Sequence, residues 1–184
     1  MKAAWDFYNE SPRDFKMVML HPSLIIGPSR IDVVNASSNI SIYFMKRKLP
    51  SCPKVALPTV DVRDVAKTHI LAMENAEDMN GQSYIVSNRS LGFLEIGETL
   101  HKEFSPHGYK VPHKPMGNCL FKIACLFDKG VRAMKPYHNK TIDLKNDKLE
   151  KATKFTEWTD LRESLIEMTE EQIRKGIIPD KMKK

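Results

Sequence analysis

The apolar run Met17-Val18-Met19-Leu20, followed by His21-Pro22-Ser23-Leu24-Ile25-Ile26-Gly27-Pro28, decides how the chain is read. A short run of this kind, ending in a proline and closed five residues later by Gly-Pro, predicts a buried strand over 16–21 that breaks into a turn and loop. In an open parallel sheet, ligands sit in the crevice beyond such carboxyl ends, so this turn is the first place to look for a cofactor. A proline that merely ends a strand would satisfy the same pattern.

Working outward, Ala3, Ala4, Phe7 and Tyr8 recur at helical spacing, and Glu10-Ser11-Pro12 stops the pattern. No cap residue precedes them, so the segment is expected to be the last turns of a longer helix. On the other side, Ile40, Phe44 and Met45 predict a short helix within 33–48, opened by Asn35-Ala36-Ser37-Ser38. Small hydroxyl residues at a helix start can cap it, and the free N–H groups there also favour phosphate. Cap and anion contact therefore compete for Ser37 and Ser38.

Val55 to Val60 reads as extended, with Pro58 expected to interrupt a regular ladder. Asp64 is expected to cap a helix whose apolar stripe is Val65, Ala66, His69, Ile70, Met73 and Ala76, after an Asp61–Arg63 charge pair. Asn80-Gly81 marks a turn, 84–86 a strand, and Ser90 a candidate cap for a helix carrying Phe93, Ile96, Leu100 and Phe104. Leu120, Ile123, Ala124, Phe127, Val131 and Met134 predict one amphipathic helix running from Asn118 to Pro136. A possible edge strand at 141–144 precedes a last helix, opened by Asp160 and Glu163 and ending near Gly176. The alternation of helices and strands gives an α/β fold with helical crossovers.

Composition narrows the function classes. At 184 residues, with 41% hydrophobic and 28% charged residues, the chain is expected to form one globular unit. Its 29 Lys and Arg exceed its 23 Asp and Glu, but no aromatic-basic interleaving accompanies the charge, which argues against nucleic acid as a partner. No run reaches the ~18 apolar residues that a membrane span needs. Cys52, Cys119 and Cys125 are too widely spaced for a metal quartet, and their odd number speaks against a secreted disulfide framework. A cytoplasmic location is the expectation. No His-x-x-x-His pair suggests a zinc site; His69 is read as a core or boundary residue, and His21 as a possible neighbour of the substrate end.

Lys2-Ala3-Ala4-Trp5, the Pro22 turn and Val60-Asp61-Val62-Arg63-Asp64-Val65-Ala66 together resemble the carboxyl-terminal half of an extended short-chain dehydrogenase/reductase. This is the NAD-dependent epimerase/dehydratase superfamily, in the branch similar to dihydroflavonol reductases and yeast-type NADPH-dependent carbonyl reductases. The resemblance implies part of a Rossmann-like doubly wound sheet with a small α/β substrate-binding lobe, and NADP as cofactor with NAD as the second option. It places Pro22 against the nicotinamide ring, Ser23 and Leu24 beside its amide, and Ser37 or Ser38 on the pyrophosphate side. A proline offers a flat ring a rigid apolar face.

Members of that family bind the pyrophosphate with Gly-x-x-Gly-x-x-Gly and protonate the carbonyl oxygen with the Tyr of Tyr-x-x-x-Lys. Neither pattern occurs here, and Tyr43-Phe44-Met45-Lys46 has the wrong spacing. No catalytic residue is therefore assigned. The expected activity is that of a parent enzyme reducing a ketone or aldehyde, with this portion inactive alone. The alternatives are a truncated, non-catalytic binding module, or a sugar-nucleotide epimerase or 3β-hydroxysteroid dehydrogenase relative.

Overall fold

The computed structural model describes residues 2–12, 15–29 and 37–182. The deciding stretch forms two strands in succession, β1 (Val18–Pro22) and β2 (Leu24–Ile26), which pair with different neighbours. β1 lies parallel to β4 (Gln82–Val86), with Pro22 opposite Val86. β2 lies parallel to β3 (Val55–Asp61), with Leu24 opposite Thr59 and Ile26 opposite Asp61. Ser23 sits at the fork and donates its N–H to the Val86 carbonyl at 3.0 Å. β3 also pairs antiparallel with β5 (Arg89–Gly92) and parallel with β6 (Lys140–Thr141).

Pro58 does not interrupt the ladder as expected: it pairs with Ser90 of β5. On its other flank, β6 pairs only with residues 55–56 and β2 only with 59–61, so no neighbouring strand asks Pro58 for the donor it lacks. The expected edge strand at 141–144 shrinks to the two residues of β6.

α1 (Lys2–Glu10) precedes β1, and α2 (Asn39–Met45), α3 (Val62–Glu74), α4 (Ala76–Met79) and α5 (Phe93–Phe104) lie between strands. After them come α6 (Asn118–Phe127), α7 (Lys129–Ala133), α8 (Asp147–Thr153) and α9 (Leu161–Arg174). One core packs Phe44, Ile96, Leu100, Phe104, Leu161 and Leu165 around α2, α5 and α9. A second gathers Val60, Ala72, Met79, Tyr84 and Val86 between α3 and the β1–β4 pair. The predicted turn at Asn80-Gly81 forms, and the Asn80 carboxamide oxygen receives both the Tyr8 hydroxyl and the Met17 N–H, tying α1 and the start of β1 together.

Several caps differ from expectation. Asp61, not Asp64, caps α3, accepting the Arg63 N–H at 2.6 Å. Asp64 is a buried clasp whose carboxylate accepts the N–H and hydroxyl of Thr159 at 3.0 and 2.8 Å. The buried row of α3 is Asp64, Thr68 and Ala72, while Ile70 and Met73 are 57% and 78% exposed and His69 is also on the surface. Polar residues can occupy the inner row because each finds a partner; the Thr68 hydroxyl donates to the Val65 carbonyl.

Ser90 belongs to β5, and Gly92 precedes α5 without a side-chain cap. The single helix expected from Asn118 to Pro136 breaks at Asp128, whose extended backbone and side chain cap α7 through the Val131 N–H. Asp160 caps α9 as expected. Asn35 and Ala36 lie outside the described residues.

Candidate functional site

The turn after β2 is built by contact between two distant pieces of sequence. Gly27 has φ +119°, and a Cβ there would lie 3.0 Å from both the Asp61 carboxylate and the Val62 side chain, so only glycine fits against the start of α3. Asp61 is fully buried. Arg63 returns over it, giving Nε–Oδ1 and Nη2–Oδ2 hydrogen bonds of 2.9 Å each, and its remaining Nη1 reaches Glu167 of α9 at 2.8 Å. Burial alone would raise the Asp61 pKa. The hydrogen bonds and positive charge of Arg63 outweigh it and hold the carboxyl below its ordinary value. The pair is thus a structural brace behind the turn.

Pro22 ends β1 with its ring exposed, beside the fork where the strand leaves β4 for β3. The Ser23 hydroxyl is buried and has no partner among the described residues, and the same holds for Ser87 immediately after β4. Two orphaned hydroxyls next to an open proline ring are unusual, because buried polar groups are normally paired. They fit a ligand with a flat face and hydrogen-bonding substituents. Leu24 follows in the β2 ladder, and His21 is half-buried opposite Ile85.

Ser37 and Ser38 lead into α2. Ser38 has a helical backbone and its side chain does not cap the helix. Its carbonyl instead receives the Gln172 amide at 3.0 Å, and the one proton of the Ser41 hydroxyl is shared between the Gln172 oxygen at 2.7 Å and the Ser38 carbonyl at 3.0 Å. Ser29 is held from the same end of α9: Glu171 accepts the Ser29 N–H, and Lys175 donates to the Ser29 carbonyl. Three side chains near the end of α9 therefore hold both Ser29, after the Pro22 turn, and Ser38, at the start of α2. Sequence reading missed them. A Glu-Gln-x-x-Lys cluster at a helix end carries no local signature of what it holds.

The parallel pairing of β1 with β4 and of β2 with β3, with Pro22 exposed at the fork, is that of the α/β class, in which ligands sit beyond the carboxyl ends of parallel strands. The chain is related by sequence and fold to NADPH-dependent reductases of the extended short-chain dehydrogenase/reductase, epimerase/dehydratase type. It is 31% identical over 112 residues to the NADPH-dependent methylglyoxal reductase GRE2 of Saccharomyces cerevisiae, covering 56% of this chain and 32% of the yeast protein. It is 29% identical over 178 residues to cinnamoyl-CoA reductase 2 of Arabidopsis thaliana, covering 97% of this chain and 46% of the reductase. The crystal structure of Gre2 from Candida albicans superposes with a TM-score of 0.72 at 27% identity, over 95% of this chain and 49% of that one. The chain thus spans between about a third and a half of the length of these relatives. No family model matches it.

Proposed function

We propose that this chain is the carboxyl-terminal portion, the last part of the Rossmann-like sheet together with the substrate lobe, of an NADPH-dependent reductase of small aldehydes or ketones. What supports the reading most directly is the fork itself: an exposed Pro22 ring flanked by the unpartnered Ser23 and Ser87 hydroxyls. When bound, the cofactor supplies hydride to the carbonyl carbon. Pro22 would hold one face of the nicotinamide, the Ser23 and Leu24 backbone would meet its amide, and Ser37 or Ser38 would contact the pyrophosphate side. NADPH is preferred to NADH because the related methylglyoxal reductase is NADPH-dependent and Gre2 is known in complex with NADPH.

The reaction also requires a glycine-rich pyrophosphate turn and an acid to protonate the carbonyl oxygen, and the 184 residues contain neither signature. We assign both to a dinucleotide-binding half that works with this one, and expect this chain by itself to be inactive. In that arrangement a small carbonyl compound is the partner and the cytoplasm its setting; none of the described helices is long and apolar enough to cross a membrane.

The test compares NADPH binding by titration calorimetry for the 184-residue chain and for a fusion behind the corresponding first half of Candida albicans Gre2. The fusion should bind NADPH and reduce methylglyoxal while the short chain does neither, and Pro22→Ala in the fusion should weaken binding. Tight NADPH binding by the short chain, or a folded fusion indifferent to Pro22→Ala, would overturn the assignment.

A further inference from the structure

A cavity of about 420 Å³ lies between the end of α2 and the segment 109–114, and neither Pro22 nor Ser23 is among the residues that line it. Seven-residue α2 is roughly 10 Å long at 1.5 Å per residue, with Ser38 just before its start and Arg47 just beyond its carboxyl end. The cavity is therefore separate from the Ser37–Ser38 start of that helix. Its rim carries three cations, Arg47, Lys110 and Lys114, all exposed, and no Asp or Glu is among the residues that line it.

Its floor is a pair of imidazoles. His101 of α5 and His113 are stacked with ring centroids 3.7 Å apart, and the His101 Nδ1 is buried with no partner among the described residues. Two basic rings in van der Waals contact beneath three cations, one with an unused buried nitrogen, form a site short of an anion.

The wall is preorganised. At one end Tyr109 donates its hydroxyl to the Pro179 carbonyl at 2.7 Å and accepts the Lys181 N–H at 3.0 Å. At the other, the Cys52 N–H donates to the Lys114 carbonyl at 2.8 Å. Between them the Cys52 thiol donates to the Pro112 carbonyl at 3.3 Å. The absence of a side chain at Gly97 lets this segment lie directly on α5, since a Cβ there would fall 2.5 Å from the Pro112 oxygen. Pro50, which is exposed, makes the wall beside the cations apolar, whereas the Val111 and Pro112 side chains are buried. A bare tetrahedral anion would leave that wall uncovered, whereas an organic group attached to the phosphate would cover it.

We propose that this cavity binds a small phosphomonoester, its phosphate held by Arg47, Lys110, Lys114 and the His101–His113 pair, and its organic group lying on Pro50. The test follows the imidazole signals of the native chain by NMR at pH 7 and constant ionic strength, titrating phenyl phosphate and, separately, inorganic phosphate. Phenyl phosphate should shift His101 and His113 saturably, leave His21 and His69 in place, and bind more tightly than inorganic phosphate. Arg47→Ala with Lys114→Ala should weaken it about tenfold or more. Lys129→Ala with Lys135→Ala removes the same charge elsewhere and should change affinity less than twofold. No saturation, equal binding of inorganic phosphate, or an equal loss in the control variant would each refute the site.

Discussion

Asp61→Asn tests the brace behind the Pro22 turn. The substitution keeps size and shape but removes a fully buried charge that accepts three hydrogen bonds from Arg63 alone. Asparagine can still receive the Arg63 N–H through its oxygen. Its NH2 group then faces the guanidinium, donor against donor. Breaking a buried ion pair from one side costs about 3–5 kcal/mol. The lower end applies, because the Arg63 side chain is 46% exposed and can turn to Glu167 and water.

A loss of about 3 kcal/mol at pH 7 is therefore expected, or about 6–12 °C in melting temperature for a chain of this size. The assay is urea unfolding followed by circular dichroism across pH. The Asp61 pKa is lowered in the folded chain, so its stabilisation is complete above the unfolded value, near 3.9, and is lost as pH falls through the folded value. The gap between wild type and variant should be flat above about pH 5 and narrow below about pH 4. A cost under about 1 kcal/mol at pH 7, or a gap that does not narrow in acid, would refute the reasoning.

Gly97→Ala drives a methyl to 2.5 Å from a backbone oxygen and 2.6 Å from the Cys52 sulfur. It should cost about 2–4 kcal/mol in the same urea assay, since the obstructing carbonyl belongs to a pinned segment. The cysteines should separate by reactivity. Burial, then the nearby Glu98 charge, pushes the Cys52 thiol up to about 12, so iodoacetamide at pH 8 should label exposed Cys119 and reach Cys52 only in urea.

What could be read from the chain was mostly local chemistry. The strand ending at Pro22, the Asn80-Gly81 turn, the Asp61–Arg63 pair and the Asp160 cap each rest on groups within a few residues of one another. The errors arose where local signals competed. Asp61 and Asp64 are both good capping residues, and the choice fell to Asp61 because its carboxylate also meets Gly27 and Arg63, leaving Asp64 for Thr159. The stripe through His69, Ile70 and Met73 has helical spacing, yet the sheet meets the row through Asp64, Thr68 and Ala72 instead.

The sequence by itself determined the α/β class, the strand that ends at Pro22 and the small residues that lead into α2. Only the tertiary structure decided that the chain leaves β4 for β3 after Ser23, that Glu171, Gln172 and Lys175 hold Ser29 and Ser38 from the far end of the chain, and that His101 and His113 stack in a cavity lined by three cations. Helix periods and caps are short-range and leave a pattern in neighbouring residues. Strand pairing and shared cavities join groups far apart along the chain, and depend on which surfaces become buried together.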